Sequence, residues 1–371
     1  VRWHTGVEVV AVGELTRRYG PALLAWAFLA CLRPGRAPGR RLVWVCVFGL
    51  AVSQSALTPV GDALIVGDDS ERLVGHIGML LAVWAGARFV LWLRGSRARW
   101  LTVYSAATAA ALCVTFALTP NLFPQSPWVM EYCVVYAVAQ LPSFAVIASL
   151  CLRDARQTHD RVLRAGLGSI VAGIVAAACY IVSKTVVAIS ARADFTFPAG
   201  REFLLSKALP TAAHLLVLVG VGLPALVDWA RRCRQYRWLG PLWHALYQAE
   251  PSIALDPPAL FPTRMRLYRR VIEIRDGLLA LHAYRSPEVT EVARRSAAEA
   301  GLRGGRLEAA AEAAAVTAAL RARTEGVERE GVEPLPPRTA VAGGEDLGSD
   351  TEFLSQVARV YHLRVRGVTR I

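Results

Sequence analysis

The chain has 371 residues, 54% of them apolar, with a mean hydropathy of +0.36 and a formal charge of +13. A soluble domain rarely averages so apolar, and the excess lies before residue 230, so a purely water-soluble protein is excluded. The basic charge could point to nucleic acid, but the arginines cluster at the ends of apolar runs, which is the pattern of membrane topology; no nucleic-acid partner is expected.

The first apolar run, Tyr19 to Leu32, supplies only about 14 residues, short for a ~30 Å hydrocarbon core. Extending it through Gly6–Leu15 brings Glu14, Arg17 and Arg18 close to lipid, at roughly 2.5–3.5 kcal/mol for each charge at the centre. A half-buried or interfacial helix is the other reading of this segment. No cleavable leader is expected, because Glu8, Glu14, Arg17 and Arg18 replace a basic head and apolar core.

Six clearer runs follow: Leu42–Leu57, Leu73–Leu93, Leu101–Leu118, Trp128–Leu152, Ala165–Ile189 and Leu204–Val227. The fold class expected is all-α: a membrane bundle of seven transmembrane helices with a C-terminal helical domain. Arginines alternate between the connections. Arg33, Arg36, Arg40 and Arg41 follow the first run, and Arg94, Arg97 and Arg99 the third. Arg153, Arg156, Arg161 and Arg164 follow the fifth, and Arg231, Arg232, Arg234 and Arg237 the seventh. The positive-inside rule puts all four segments in the cytoplasm of a multi-pass cell-membrane protein; with seven spans the N-terminus is outside and the C-terminus inside, and without the first span both ends are inside.

Small residues recur every four positions at Gly78, Ala82 and Gly86, and at Gly168, Ala172 and Ala176. That spacing predicts close helix approach on those two faces. Pro142, Pro210 and Pro224 predict kinks or breaks. Arg88 lies near the cytoplasmic end of its run and is expected to snorkel inward.

The domain division expected is 1–230 for the membrane bundle, 231–325 for a cytoplasmic helical domain, 326–349 for a flexible linker and 350–371 for a last helix packed on that domain. The tryptophan-rich stretch from Tyr236 to Leu246 suits a lipid headgroup region. Leu267, Val271, Ile274, Leu278 and Leu281 follow a 4-3-4-3 spacing and share one helix face. Ser286-Pro287 starts a helix, with Gly301 as its stop. Arg306–Arg323 is an alanine-rich helix former. Pro334, Pro336, Pro337 and Gly343-Gly344 mark the linker. Ser349 and Glu352 read as a capping box, followed by a helix placing Phe353, Val357, Val360 and Tyr361 on one face.

Placed by depth, the polar residues of the spans gather toward the outer leaflet: His76, Glu131, Tyr180, Lys184, Lys207 and His214. Polar groups are costly in lipid and face the bundle interior, so these six form the candidate ligand-binding set. The other reading has Glu131 and Lys207 solvated at headgroup depth, and the histidines bonded to neighbouring helices. No catalytic residue is expected: the sequence holds no Walker loop, HExxH or GxSxG. The seven cysteines have no metal-ligand spacing, so no metal and no cofactor are expected.

The segments PLWHALYQAEPSIAL (Pro241–Leu255) and RLYRRVIEIRDGLLAL (Arg266–Leu281), with DTEFLSQVARVYH near the end, resemble an actinobacterial multi-span membrane family. Its members carry about seven spans and a C-terminal cytoplasmic domain of unknown function, and some bear a transporter label. The resemblance implies no catalytic residues. Two functions are therefore expected: a sensor or signalling adaptor that meets a cytoplasmic protein partner through residues 231–371, or a transporter of a small solute. The lipid bilayer is a partner in both.

Overall fold

A computed structural model describes residues 19–32, 35–65, 69–123, 125–193, 208–255, 263–326 and 347–365. Glu8, Glu14, Arg17, Arg18, Arg33, Lys207 and nearly all of the expected linker lie outside them. Among the described residues the fold is all-helical, without strands. The chain divides into two compact units, Val1–Ala225 and Leu226–Ile371.

In the first unit α1 is Tyr19–Cys31, α2 Pro38–Ala56, α3 Pro59–Leu64, α4 Ser70–Leu93 and α5 Arg99–Leu118. Helix α6 is Val129–Gln157, α7 is Arg161–Arg192, and α8 is Leu209–Ala249. Five of these, α4 to α8, are long and apolar enough to cross a membrane. At 1.5 Å per residue, even the 20-residue α5 reaches about 30 Å. Their outward side chains carry the same message. Val103 and Val114 on α5 are 69% and 60% exposed, so an apolar belt faces outward where a soluble helix would place charge. The protein is therefore a membrane protein. Helix α1 is too short to join the five, and in α2 the paired Arg40 and Arg41, with Ser53, Gln54 and Ser55, dilute the apolar run.

Small residues decide which helices approach. A methyl group at Gly49 of α2 would meet the Gly78 carbonyl oxygen of α4 at 2.6 Å, so the two backbones touch there. Gly78 and Ala82 thus lie on the close face, as expected, whereas a methyl group at Gly86 would make only ordinary contact with Ile147. The second small-residue face differs from expectation. A methyl group at Gly168 would meet nothing within 4 Å; Gly166 and Gly173 are the glycines of α7 that press on α8, against the carbonyls of Gly220 and Ala213. Residues seven apart also share a helix face. Where nearly every position is Gly or Ala, spacing alone does not choose the register. The helices run on through Pro142 and Pro224 without a break. Ala25 and Leu29 of α1 bury with Val47, Leu50 and Ala51 of α2, Ala82 of α4 and Leu218 of α8. A larger core joins α4, α5, α6 and α7 around Leu80, Val83, Leu112, Phe144, Ile147 and Ile174.

The second unit holds the last part of α8, then α9 (Thr263–Ala280), α10 (Pro287–Glu299), α11 (Gly305–Thr324) and α12 (Leu347–Val365). The five residues of the 4-3-4-3 stripe on α9 and its end are all buried, Val271, Ile274 and Leu278 completely. Ser286 caps α10 through the Val289 amide, with Pro287 at the first helical position. Gly301, at φ +80°, sits just past the end of α10, where a left-handed residue is cheapest as glycine.

Two expectations change here. The stretch Tyr236–Leu246 is core, not a headgroup belt: Leu239, Leu242 and Leu246 are fully buried with the α9 stripe. Their 3-4 spacing is the stronger signal beside the tryptophans. The Trp243 indole instead donates to Glu273 at 2.8 Å, and Trp238 is flanked by Arg234 and Arg359. Helix α12 begins at Leu347, so Ser349 falls inside its first turn. Its buried apolar residues are Leu354, Val357, Ala358 and Tyr361, with Phe353 and Val360 at the edge.

Polar contacts lock this unit. Glu273 is 5% exposed and takes hydrogen bonds from Arg269, Trp243 and the Leu255 amide. Glu250 meets Arg323 of α11 at 2.6 Å. A hydrogen bond from Ser252 and then that from Arg323 hold the Glu250 carboxyl below its ordinary range. A lowered folded value means the pair's stabilisation is present above the unfolded value and is lost as pH falls through the folded one. Acidification should therefore raise amide exchange around Arg321–Thr324, after correction for intrinsic rates, and Glu250→Gln should abolish that pH dependence.

Candidate functional site

The starts of α4 and α6 and the ends of α5 and α7 meet at one end of the first unit. Asp69 precedes α4; its carboxylate accepts from the Leu122 amide at 2.8 Å and pairs with Arg72 at 3.2 Å. One turn further along α4, His76 Nδ1 lies 2.6 Å from the Tyr132 hydroxyl of α6. The tautomer decides which of the two donates. The His76 ring also lies 4.2 Å from the Tyr136 ring. Helical spacing explains the partnership, since Tyr132, Tyr136 and Gln140 are four apart on one face of α6. Gln140 is fully buried, its amide without a hydrogen bond of standard geometry, beside the Tyr136 ring system one turn back. Tyr180 of α7 packs against the same buried core as both tyrosines.

Glu131 opens α6 next to this column. One carboxylate oxygen is 3.9 Å from Arg192 at the end of α7, and the other is buried without a partner. A cleft of about 260 Å³ lies beside it, lined by Ser126, Met130, Ala188 and Arg192 among others. The Ser126 hydroxyl is also buried and unpartnered. Around this cleft stand the Glu131 carboxylate, the Arg192 guanidinium and the Ser126 hydroxyl, enough to hold a small group that both donates and accepts.

The six residues expected to form the site are not all brought together. His76 meets Tyr132 and Tyr136, Tyr180 packs against the core that holds those two tyrosines, and Glu131 is adjacent to Tyr132 in sequence. Lys184 is exposed. His214 is 5% exposed; its Nδ1 bonds the Pro210 carbonyl at 2.6 Å within its own helix, and its Nε2 is buried without a partner. Lys207 lies outside the described residues. The sequence reading missed Tyr132, Arg72 and Arg192. The i,i+4 series from Tyr132 was the available signal.

Residues 228–364 match DUF6545, a family of unknown function. The match covers both segments on which the resemblance rests, Pro241–Leu255 and Arg266–Leu281. No curated protein and no solved structure matches the chain. Nearly all of the second unit is thus the DUF6545-matching segment, and the histidine–tyrosine column lies outside it. Among the described residues, no three His, Cys, Asp or Glu side chains are placed to hold a metal ion.

Tyr132→Phe keeps the ring and removes the hydroxyl. The loss of one buried hydrogen bond should cost about 1 kcal/mol of stability. Thermal unfolding of the full chain in detergent would read it, and His76→Ala should add little to Tyr132→Phe if the two act as one unit.

Proposed function

We propose that this membrane protein is a sensor or signalling adaptor, in which the polar end of the bundle is the input and the DUF6545-matching unit meets a cytoplasmic protein partner. The reading takes the bundle as seven crossings in the cell membrane, with the N-terminus outside and the C-terminus in the cytoplasm. The packing of α1 and α2 with α4 and α8 supports including them. The observation that carries the reading is helix α8. It runs unbroken for 41 residues, placing Ala213 and Leu218 in the cores of the first unit and Leu239, Leu242 and Leu246 in that of the second. A change felt at one end of a continuous helix has a covalent route to the other.

Hydrogen exchange of the full chain in lipid nanodiscs tests this. Glu131→Gln and His76→Ala alter the input end, and sensor coupling predicts changed protection in α9–α12. Unchanged exchange there in both variants would sink the reading. Transport of a small solute draws on the 260 Å³ cleft that Ser126 and Arg192 line. Vesicle uptake that Arg192→Ala leaves untouched would remove that alternative.

A further inference from the structure

A larger cleft of the first unit lies at the other end of α4, away from His76. It encloses about 440 Å³ between the start of α2, the end of α4 and the α4–α5 connection. Arg41, Arg88 and Arg97 line it, and none of the described residues lining it is acidic. Trp92 and Leu42 supply its apolar wall. The two arginine clusters that the sequence marks only as topology signals are therefore neighbours in space.

The local structure is arranged around the charges. Arg88 comes from inside the span and donates through one guanidinium nitrogen to the Arg97 carbonyl. Its Nε is buried and has no partner. Arg41 is turned by a bond from its Nε to the Gly35 carbonyl at 3.4 Å. Helix α2 begins at Pro38 with no side-chain cap, so the positive end of its dipole also faces this region. Gly39 has no side chain where Trp92 packs; a methyl group there would meet the indole at 2.4 Å.

The geometry points to an anion site in this cleft that takes a phosphate-bearing group. Three guanidinium groups suit phosphate because each presents paired donors to its oxygens. The depth favours a lipid headgroup as the source. Trp92 is 43% exposed at the end of an apolar helix, where indoles sit at headgroup level, and the cleft is partly apolar. Basic pockets between spans on the arginine-rich side are suited to anionic headgroups. The inference stands apart from the sensor reading and concerns a different end of the bundle.

Binding to the full chain in neutral detergent tests it, with phosphatidylglycerol, phosphatidylcholine and inorganic phosphate as probes, read by native mass spectrometry and thermal shift. Phosphatidylglycerol should bind the unaltered protein at least tenfold more tightly than the Arg41→Ala/Arg97→Ala variant. Phosphatidylcholine should not distinguish them. Arg97→Gln alone, which keeps the carbonyl that Arg88 bonds, should lose about threefold and gives a reading should the double variant misfold. Arg156→Ala/Arg161→Ala, elsewhere among the arginines, should keep full affinity. Inorganic phosphate binding as tightly, and lost in the same variants, would support the anion site with free phosphate as occupant. Phosphatidylglycerol binding that survives the cleft variants, or falls equally in the control, overturns the proposal.

Discussion

Glu312→Ala is expected to destabilise the second unit by about 3–5 kcal/mol, the usual cost of removing one partner of a buried ion pair. Arg285 and Glu312 are 8% and 4% exposed, and they meet through two hydrogen bonds of 2.8 and 2.6 Å. The pair joins the segment before α10 to the middle of α11. Truncating the glutamate leaves a guanidinium, charged at any accessible pH, buried among alanines. The pair itself need not add stability over an apolar one of the same shape, so a joint Arg285→Met/Glu312→Leu change should cost much less than either truncation. Hydrogen exchange of α11 amides in the full chain reads the difference. Equal loss of protection in the double and single variants would show that the charge is not what matters.

The sequence disclosed this unit unevenly. The stripe on α9 was legible because five large apolar residues recur at helical spacing within a strongly charged segment. The Arg285–Glu312 pair was not. Its partners are 27 positions apart, and nothing local distinguishes Glu312 from Glu308, the other acid of α11. The site at the other end shows the same division. Depth along each apolar run grouped His76 with Tyr180, because position in a span fixes height in a bundle. Rotation about each helix axis is set by packing, and it decided that Lys184 is exposed and that His214 bonds its own helix. Arginines marked the connections as a set, but only folding brings Arg41, Arg88 and Arg97 to one cleft.

Rotation is also what two glycine substitutions would measure. Gly49→Val is expected to cost about 3 kcal/mol, at the upper end for overpacking. Its Cβ would lie 2.6 Å from the Gly78 oxygen and 2.7 Å from the Ala82 nitrogen, both backbone atoms that cannot turn aside. Helix α2 must then move off α4, which opens the core around Val47, Leu50 and Ala51. Gly168→Ala is the opposite case. Its Cβ would meet nothing within 4 Å, and alanine is the better helix former by roughly 0.5–1 kcal/mol. Thermal unfolding of the full chain should therefore fall for Gly49→Val and hold or rise for Gly168→Ala. Alkylation of Cys46, which packs beside the α2–α4 contact, should quicken in the first variant alone. Loss of stability in Gly168→Ala would mean that α7 packs through the Gly168–Ala172–Ala176 face after all. The choice between those two faces rests on a rotation of α7, since Gly166 and Gly173 occupy one and Gly168 the other.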